Sequence, residues 1–286
     1  MRPWQWVKNL FIFLPMFFAG QMGEVGYWVS LAWTFLAMSF VASSIYCIND
    51  ILDVEENRQH PRKRNRPVAK GSVSKTRAAL VAAGLVVIGI GVLFITLPSA
   101  IAVSVAVLMI WYWVMNIAYC LWLKRIAIVD VFCISIGFVL RVFIGGYACS
   151  IWVSPWLICL TFLLTLFLAF AKRRDDLIVG KREGIAVRKS SASYNLPFMN
   201  MTLGLLGAIT MVCYILYTVQ PDVEERLGTS WVYLTSIFVL AGILRYLQVA
   251  IVDEKAGDPT VIMLKDRFIQ GCLLGWILSY MLIIYV

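Results

Sequence analysis

Apolar and polar residues follow one another along this chain in long blocks, not with the short period of a surface helix or strand. Leu80–Leu97, Ile101–Tyr119 and Thr202–Val219 each reach the length an α-helix needs to cross a hydrocarbon layer of about 30 Å. Read block by block, the pattern predicts nine membrane-crossing helices: Trp6–Gly20, Tyr27–Ile48, Thr76–Leu97, Ala100–Tyr119, Ile128–Ala148, Ser154–Ala171, Leu196–Gln220, Ser230–Val252 and Phe268–Val286. Polar connections at 51–75, 172–195 and 253–267 interrupt the blocks, and residues 1–286 read as a single all-α membrane domain.

The connections carry charge in strict alternation. Arg2 and Lys8, the 51–75 loop, Lys124 with Arg125, the 172–195 segment (Lys172, Arg173, Arg174, Lys181, Arg182, Arg188, Lys189) and the 253–267 loop (Lys255, Lys265, Arg267) are basic. The intervening connections near 21–26, 98–99, 149–153 and 221–229 contain one basic residue, Arg226. Basic loops stay on the cytoplasmic side, so the pattern predicts a multi-pass protein of the cytoplasmic (inner) membrane. The N-terminus and the polar loops lie in the cytoplasm and the C-terminus outside. Arg2 and Lys8 precede an apolar run with no convincing small-residue cleavage site, so the first segment is expected to remain as a helix.

Composition narrows the class. With 61% hydrophobic and 14% charged residues, the chain has too little polar side-chain surface for a soluble protein. The net charge of +9 follows from the loop bias and a phosphate-binding site, and gives no reason to invoke nucleic acid. Seven cysteines lie in or beside apolar runs without paired spacing, which suits reduced packing residues. His60 is the only histidine, which excludes a histidine-based triad or a multi-histidine metal site.

The one long polar run of the first half, Cys47–Lys70, reads CINDILDVEENRQHPRKRNRPVAK. On a helix, Asp50, Asp53 and Asn57 fall within roughly 60° of one another, with Asn49 beside Asp50. Two carboxylates and an amide then share one face, followed closely by Arg58, Arg62, Lys63, Arg64, Arg66, Lys70 and Lys75. Oxygen ligands beside a basic cluster suit Mg²⁺ carrying a phosphorylated ligand, since that ion prefers carboxylates plus substrate phosphates. The plainer alternatives are an interfacial helix end and a topogenic charge cluster. Arg141, mid-span in IGFVLRVFIGG, needs a carboxylate, carbonyl or phosphate partner, and serves either a helix-pairing contact or a ligand. Asp130, in the same span, could pair elsewhere or orient Lys124. Lys172, Arg173 and Asp176 read either as a stop-transfer cluster or as a second half-site, with the cations on phosphates and Asp176 on metal or a sugar hydroxyl.

These residues resemble the UbiA superfamily of intramembrane prenyltransferases. The family motif N-D-x-x-D-x-x-x-D reads N49-D50-I-L-D53-V-E-E-N57 here, with Asn57 in place of the last aspartate. Within the superfamily the chain is most similar to decaprenyl-phosphate phosphoribosyltransferases. That likeness rests on R2-P-W-Q-W-V-K8-N9, the R-x-x-x-x-H-P-x-K-R-x-R-P-V-A-x-G-x-V pattern over 58–73, L123-K124 with Asp130, G137-F-V-L-R141-V-F-I-G145-G146, K172-R173, and A256-G-D-P-T with L264-K-D266-R267. The resemblance implies nine helices around a central cavity open to the cytoplasm. It implies Mg²⁺-dependent transfer of 5-phosphoribosyl from phosphoribosyl pyrophosphate to a polyprenyl phosphate lipid for cell-wall synthesis. Asn49, Asp50 and Asp53 would be catalytic, and Asp50, Asp53 and Asn57 would bind metal. Substrate would be held by Lys8, Arg58, Lys63, Arg66, Lys124, Arg141, Lys172, Arg173 and Asp176. A homo-oligomer is compatible with the sequence. Two alternatives remain: prenyl transfer to an aromatic or other small acceptor, against which stands the lack of a second D-x-x-x-D, and a transporter or lipid-binding membrane protein, against which stands Arg141 as the main polar outlier where transport predicts paired polar or broken helices.

Overall fold

The chain begins with Pro3–Phe13 wound as a 3₁₀ helix, and a single α-turn, α1 (Leu14–Phe18), starts with Pro15 in its first turn, where a missing N–H is tolerated. This corrects the regular helix expected over Trp6–Gly20. The computed structural model describes residues 3–59, 63–183, 193–254 and 259–285. Expectations resting on Arg2, His60, Arg62, Arg188, Lys189 and Lys255 lie outside these.

The described elements are helical. Helix α2 (Val25–Leu52) is 28 residues long, about 42 Å at 1.5 Å per residue, so the acidic motif rides on the end of a helix that overshoots the hydrocarbon layer. A short α3 (Val54–Gln59) follows, so the 51–75 segment expected as loop is partly helical. Helix α4 (Lys75–Thr96) starts at Ser74, whose side chain accepts the Arg77 N–H. Helices α5 (Ser99–Leu121) and α6 (Val129–Ala148) continue the hydrophobic series.

Helix α7 (Pro155–Glu183) does not stop at Ala171. Lys172–Glu183 contains good helix formers and no proline, and Arg173 pairs with Asp176 one turn on, so the polar segment extends the helix instead of leaving it. Helix α8 (Leu196–Thr218) leads to α9 (Pro221–Leu227), which ends on Gly228 in the left-handed conformation at φ 68°. A 3₁₀ turn over Trp231–Thr235, α10 (Ser236–Leu247) and a π-turn over Gln248–Val252 form one continuous helical stretch. Helices α11 (Pro259–Lys265) and α12 (Arg267–Tyr285) complete the described chain, so the polar 253–267 connection is also partly helical.

Seven of these helical stretches are long and apolar enough to cross a membrane: α2, α4, α5, α6, most of α7, α8 and Trp231–Val252. Their outer faces carry large apolar side chains, with Ile95 at 85% and Met201 at 76% exposure, an arrangement stable only where the solvent is hydrocarbon. The chain is a multi-pass membrane protein.

Two compact units are present. The first comprises Met1–Lys124 and Ile136–Val153, the second Arg125–Ser135 and Ser154–Val286, so α6 contributes residues to each. Leu31, Met38, Leu93, Val105, Met109 and Ile144 centre the first core. Phe167, Ala171, Met199, Leu203 and Ala250 lie in the second. In the first unit, backbones touch where side chains are smallest: a Cβ at Gly145 on α6 would lie 1.9 Å from the Ile12 carbonyl oxygen. That crossing fixes the 3₁₀ segment against α6.

Candidate functional site

The acidic face survives the break between α2 and α3. Asp53 caps α2 in a turn conformation, yet its N–H still donates to the Asn49 carbonyl (3.0 Å) and its own carbonyl accepts from Asn57 N–H (2.8 Å). Helical spacing therefore carries through, and Asp50, Asp53 and Asn57 stay on one side. Asp50 and Asn57 are buried and Asp53 is half-buried.

Each acid is matched by a cation from another element of the first unit. Arg66 Nη1 donates to both Asp50 Oδ1 and Asn57 Oδ1, at 3.0 Å each. Lys124 Nζ, just beyond α5, donates to Asp53 Oδ1 at 2.5 Å. Asn57 is 2% exposed, and its Nδ2 has no hydrogen-bond acceptor among the described residues. A buried donor without an acceptor is costly, so this amide is suited to an incoming anionic oxygen.

A small apolar cluster holds Arg66 in place. Val54 on α3, Val68 two residues past Arg66, and Ala78 on α4 are buried together, with Ile51 and Val73 against them. The Arg66 carbonyl accepts from Lys70 N–H (2.8 Å), the Pro67 carbonyl accepts from Val73 N–H and Ser72 Oγ, and Gly71 turns the chain at φ 83°. Arg58 donates to the Ala69 carbonyl (3.3 Å) and pairs with Glu55 (3.1 Å), so it braces this loop. Lys63 lies in a short 3₁₀ turn whose lysine side chain is outside the described residues.

Arg141 forms a separate node in the first unit. It is 5% exposed. Nε donates to Asn9 Oδ1 (2.8 Å), Nη1 to the Gly137 carbonyl (2.7 Å) and Nη2 to Tyr112 OH (2.8 Å). The guanidinium carbon stands 4.8 Å from the Tyr112 ring centre and 5.1 Å from that of Phe138. Asn9 passes the contact on through Nδ2 to Ser39 Oγ at 2.9 Å. Among the described residues no carboxylate pairs with Arg141. Its donors meet neutral oxygens and ring faces, which ties three helices and the 3₁₀ segment together. Lys8 beside Asn9 is half-buried.

In the second unit, Arg173 is buried against Asp130 (Nε–Oδ2 2.6 Å) and pairs with Asp176 (3.0 Å). Asp130 therefore serves Arg173, while Lys124 goes to Asp53, which settles the two pairings the sequence left open. Lys172 is half-buried on α7. Ile128, just ahead of α6, has φ 68°, a rare conformation for a β-branched residue, and its N–H donates to Tyr194 OH. Arg174 Nε donates to Asn200 Oδ1 (2.7 Å) and Nη1 to the Ala250 carbonyl in the π-turn. Arg245 donates to Asp266 Oδ2 (2.8 and 3.0 Å), and Asp266 Oδ1 accepts the Ile269 N–H at the start of α12. Those hydrogen bonds, the Arg245 one above all, hold the Asp266 carboxyl below the usual aspartate range.

Of the residues singled out from sequence, Asp50, Asp53, Asn57, Arg66 and Lys124 come together, with Asn49 half-buried on the same helix end. Arg58 braces the loop, and Arg141 and Arg173 are engaged in buried contacts of their own. Sequence reasoning missed Tyr112, Ser39 and Asn200, whose polar atoms lie inside apolar runs. Asn9 carried the clearest available signal, as an amide within WVKNLFIF.

The donor set suits a hard divalent ion. Among the described residues no three histidine, cysteine or acidic side chains form a closed metal cage. Two carboxylates and an amide oxygen leave coordination positions for water and substrate phosphate, the usual environment of Mg²⁺.

Relatives give this geometry its context. A decaprenyl-phosphate phosphoribosyltransferase of Mycolicibacterium smegmatis is 37% identical over 289 residues, covering 97% of this chain and 88% of the relative. The proteins of the same name from Mycobacterium tuberculosis and Corynebacterium glutamicum are 34% and 29% identical, covering 97% and 100% of this chain and 90% and 86% of theirs. A UbiA homolog from Archaeoglobus fulgidus, solved with GPP and Mg²⁺, has a similar fold: TM-score 0.69, 17% identity, 100% of this chain and 98% of that one. The model of the UbiA prenyltransferase family matches residues 9–258, and the chain belongs to that family.

Proposed function

We propose that this protein transfers a 5-phosphoribosyl group from phosphoribosyl pyrophosphate to a polyprenyl phosphate, releasing pyrophosphate. One observation carries the reading beyond kinship: an acid–amide oxygen set interlocked with Arg66 and Lys124, beside a buried Asn57 donor without an acceptor among the described residues. Such a site suits one metal-bound diphosphate. The segment K172-R-R-D-D176 lacks the D-x-x-x-D spacing of a second acidic motif, which suits a monophosphate acceptor over a second diphosphate. The names of the Mycolicibacterium, Mycobacterium and Corynebacterium relatives support the same transferred group and a polyprenyl phosphate acceptor.

In this mechanism Asp50, Asp53 and the Asn57 oxygen would hold Mg²⁺. Bound there, the ion supplies charge neutralisation at the leaving diphosphate. Arg66 and Lys124 present N–H donors to its oxygens, Arg66 with the planar fork that matches phosphate. An oxygen of the lipid phosphate attacks C1 of the ribose as the C1–O bond to pyrophosphate breaks. A phosphate monoester is already anionic near neutral pH, so no side chain has to remove a proton. The fixed donors stabilise charge that builds up on the leaving oxygen.

The topology we propose has nine crossings, with the N-terminus and the polar connections in the cytoplasm and the C-terminus outside. The 3₁₀ segment with α1 rises about 30 Å at about 2.0 and 1.5 Å per residue, and the 19-residue α12 about 29 Å, so each is long enough for one pass.

Pyrophosphate release by purified protein in detergent tests the assignment. It should require both polyprenyl phosphate and a divalent cation, and Asp50→Asn or Asp53→Asn should slow it about a hundredfold or more. Normal rate and metal dependence in Asp50→Asn would remove the metal-ligand role.

A further inference from the structure

Both carboxylates of the acidic face are held by cations of the chain itself. Arg66 uses one nitrogen to occupy Asp50 Oδ1 and Asn57 Oδ1, and Lys124 occupies Asp53 Oδ1. These are the same side chains that the proposed function gives to the metal, and this inference rests on that reading. Two acids on one helix face repel each other unless positive charge lies close by, so some cation must remain near them. A divalent ion entering alone would have to displace the two internal cations and leave their charges beside its own. A divalent ion entering with a diphosphate meets a different balance, because the displaced cations gain phosphate oxygens.

The local structure favours such an exchange. The Arg66 backbone is fixed by the Lys70 hydrogen bond and by the buried Val54–Val68–Ala78 cluster, so its side chain can leave Asp50 without leaving the site. The Arg66 side chain is 23% exposed and that of Lys124 11%, so each is partly accessible where it stands. Asn57 Nδ2, buried without an acceptor among the described residues, gains one when a phosphate oxygen arrives.

We infer that Arg66 and Lys124 are placeholder cations. They close the acidic site to metal in the free protein and transfer to the diphosphate when metal and diphosphate bind. Metal and diphosphate then bind as a cooperative pair, and metal alone binds weakly. Linkage makes the effect reciprocal: whatever factor diphosphate adds to metal affinity, metal adds to diphosphate affinity.

Mn²⁺ binding to the full chain in detergent, read by electron paramagnetic resonance at controlled free Mn²⁺ with and without inorganic pyrophosphate, tests this directly. Wild-type protein should bind Mn²⁺ weakly alone and more tightly with pyrophosphate. Arg66→Gln should bind Mn²⁺ alone roughly tenfold more tightly, and the enhancement by pyrophosphate should shrink by a similar factor. Lys124→Gln, on a different element, should shift both values the same way, while Arg66→Lys keeps the charge and should bind Mn²⁺ alone as weakly as wild type. The inference is overturned if both glutamine variants, folded by circular dichroism, bind Mn²⁺ alone no better than wild type. Wild-type protein that fails to bind Mn²⁺ even with pyrophosphate would sink the metal site itself, a separate result from loss of the exchange.

Discussion

Arg141 and Gly145 sit one turn apart on α6 and receive the same 3₁₀ segment, Asn9 on the first and Ile12 on the second. A buried guanidinium inside a membrane span is costly, and here that cost is offset by an amide oxygen, a helix carbonyl, a hydroxyl and two ring faces. Gly145→Ala forces a methyl group onto the Ile12 carbonyl and should lower stability by about 1–3 kcal/mol, seen as a reduced melting temperature in detergent. An unchanged melting temperature would mean that the crossing is not fixed. At this scale the sequence revealed the acids but only part of what they meet. Asp50, Asp53 and Asn57 share a face by helical arithmetic. Lys124, 71 residues from Asp53, reaches its partner only through the packing of α5 near α2. Tyr112 gave no signal, since a tyrosine in an apolar run reads as packing.

Helix α7 shows what hydropathy alone cannot resolve. Its hydrophobic block ends at Ala171, but Lys172–Glu183 keeps winding because local propensity and the Arg173–Asp176 pair outweigh the change in polarity. The extension also places Arg173 on Asp130, a pair with 3% and 0% side-chain exposure. Removing Asp130 leaves the buried Arg173 its pair with Asp176, which is 37% exposed, so Asp130→Asn should cost ~3 kcal/mol in thermal or denaturant unfolding. Little change would mean that Asp176 and water compensate Arg173. The α2–α3 junction makes the converse point: the sequence predicted one helical face, and the face persists although the helix is interrupted at Asp53. The other departure is the first helix, expected as regular and found as a 3₁₀ segment followed by a single α-turn with Pro15 in its first turn.

For the whole molecule, apolar blocks of membrane-spanning length and a lipid-compatible exterior follow from composition, and seven helical stretches realise them. Membership of the UbiA prenyltransferase family agrees with the acidic motif at the end of α2. Isotope transfer reports the identity of the transferred group. Purified protein in detergent would receive Mg²⁺, a polyprenyl phosphate and phosphoribosyl pyrophosphate labelled in the ribose. Label should move into the organic phase, and this should stop with EDTA and in Asp53→Ala. No ribose label in the lipid, with a labelled prenyl diphosphate passing its label to an aromatic acceptor in a parallel assay, would contradict the account.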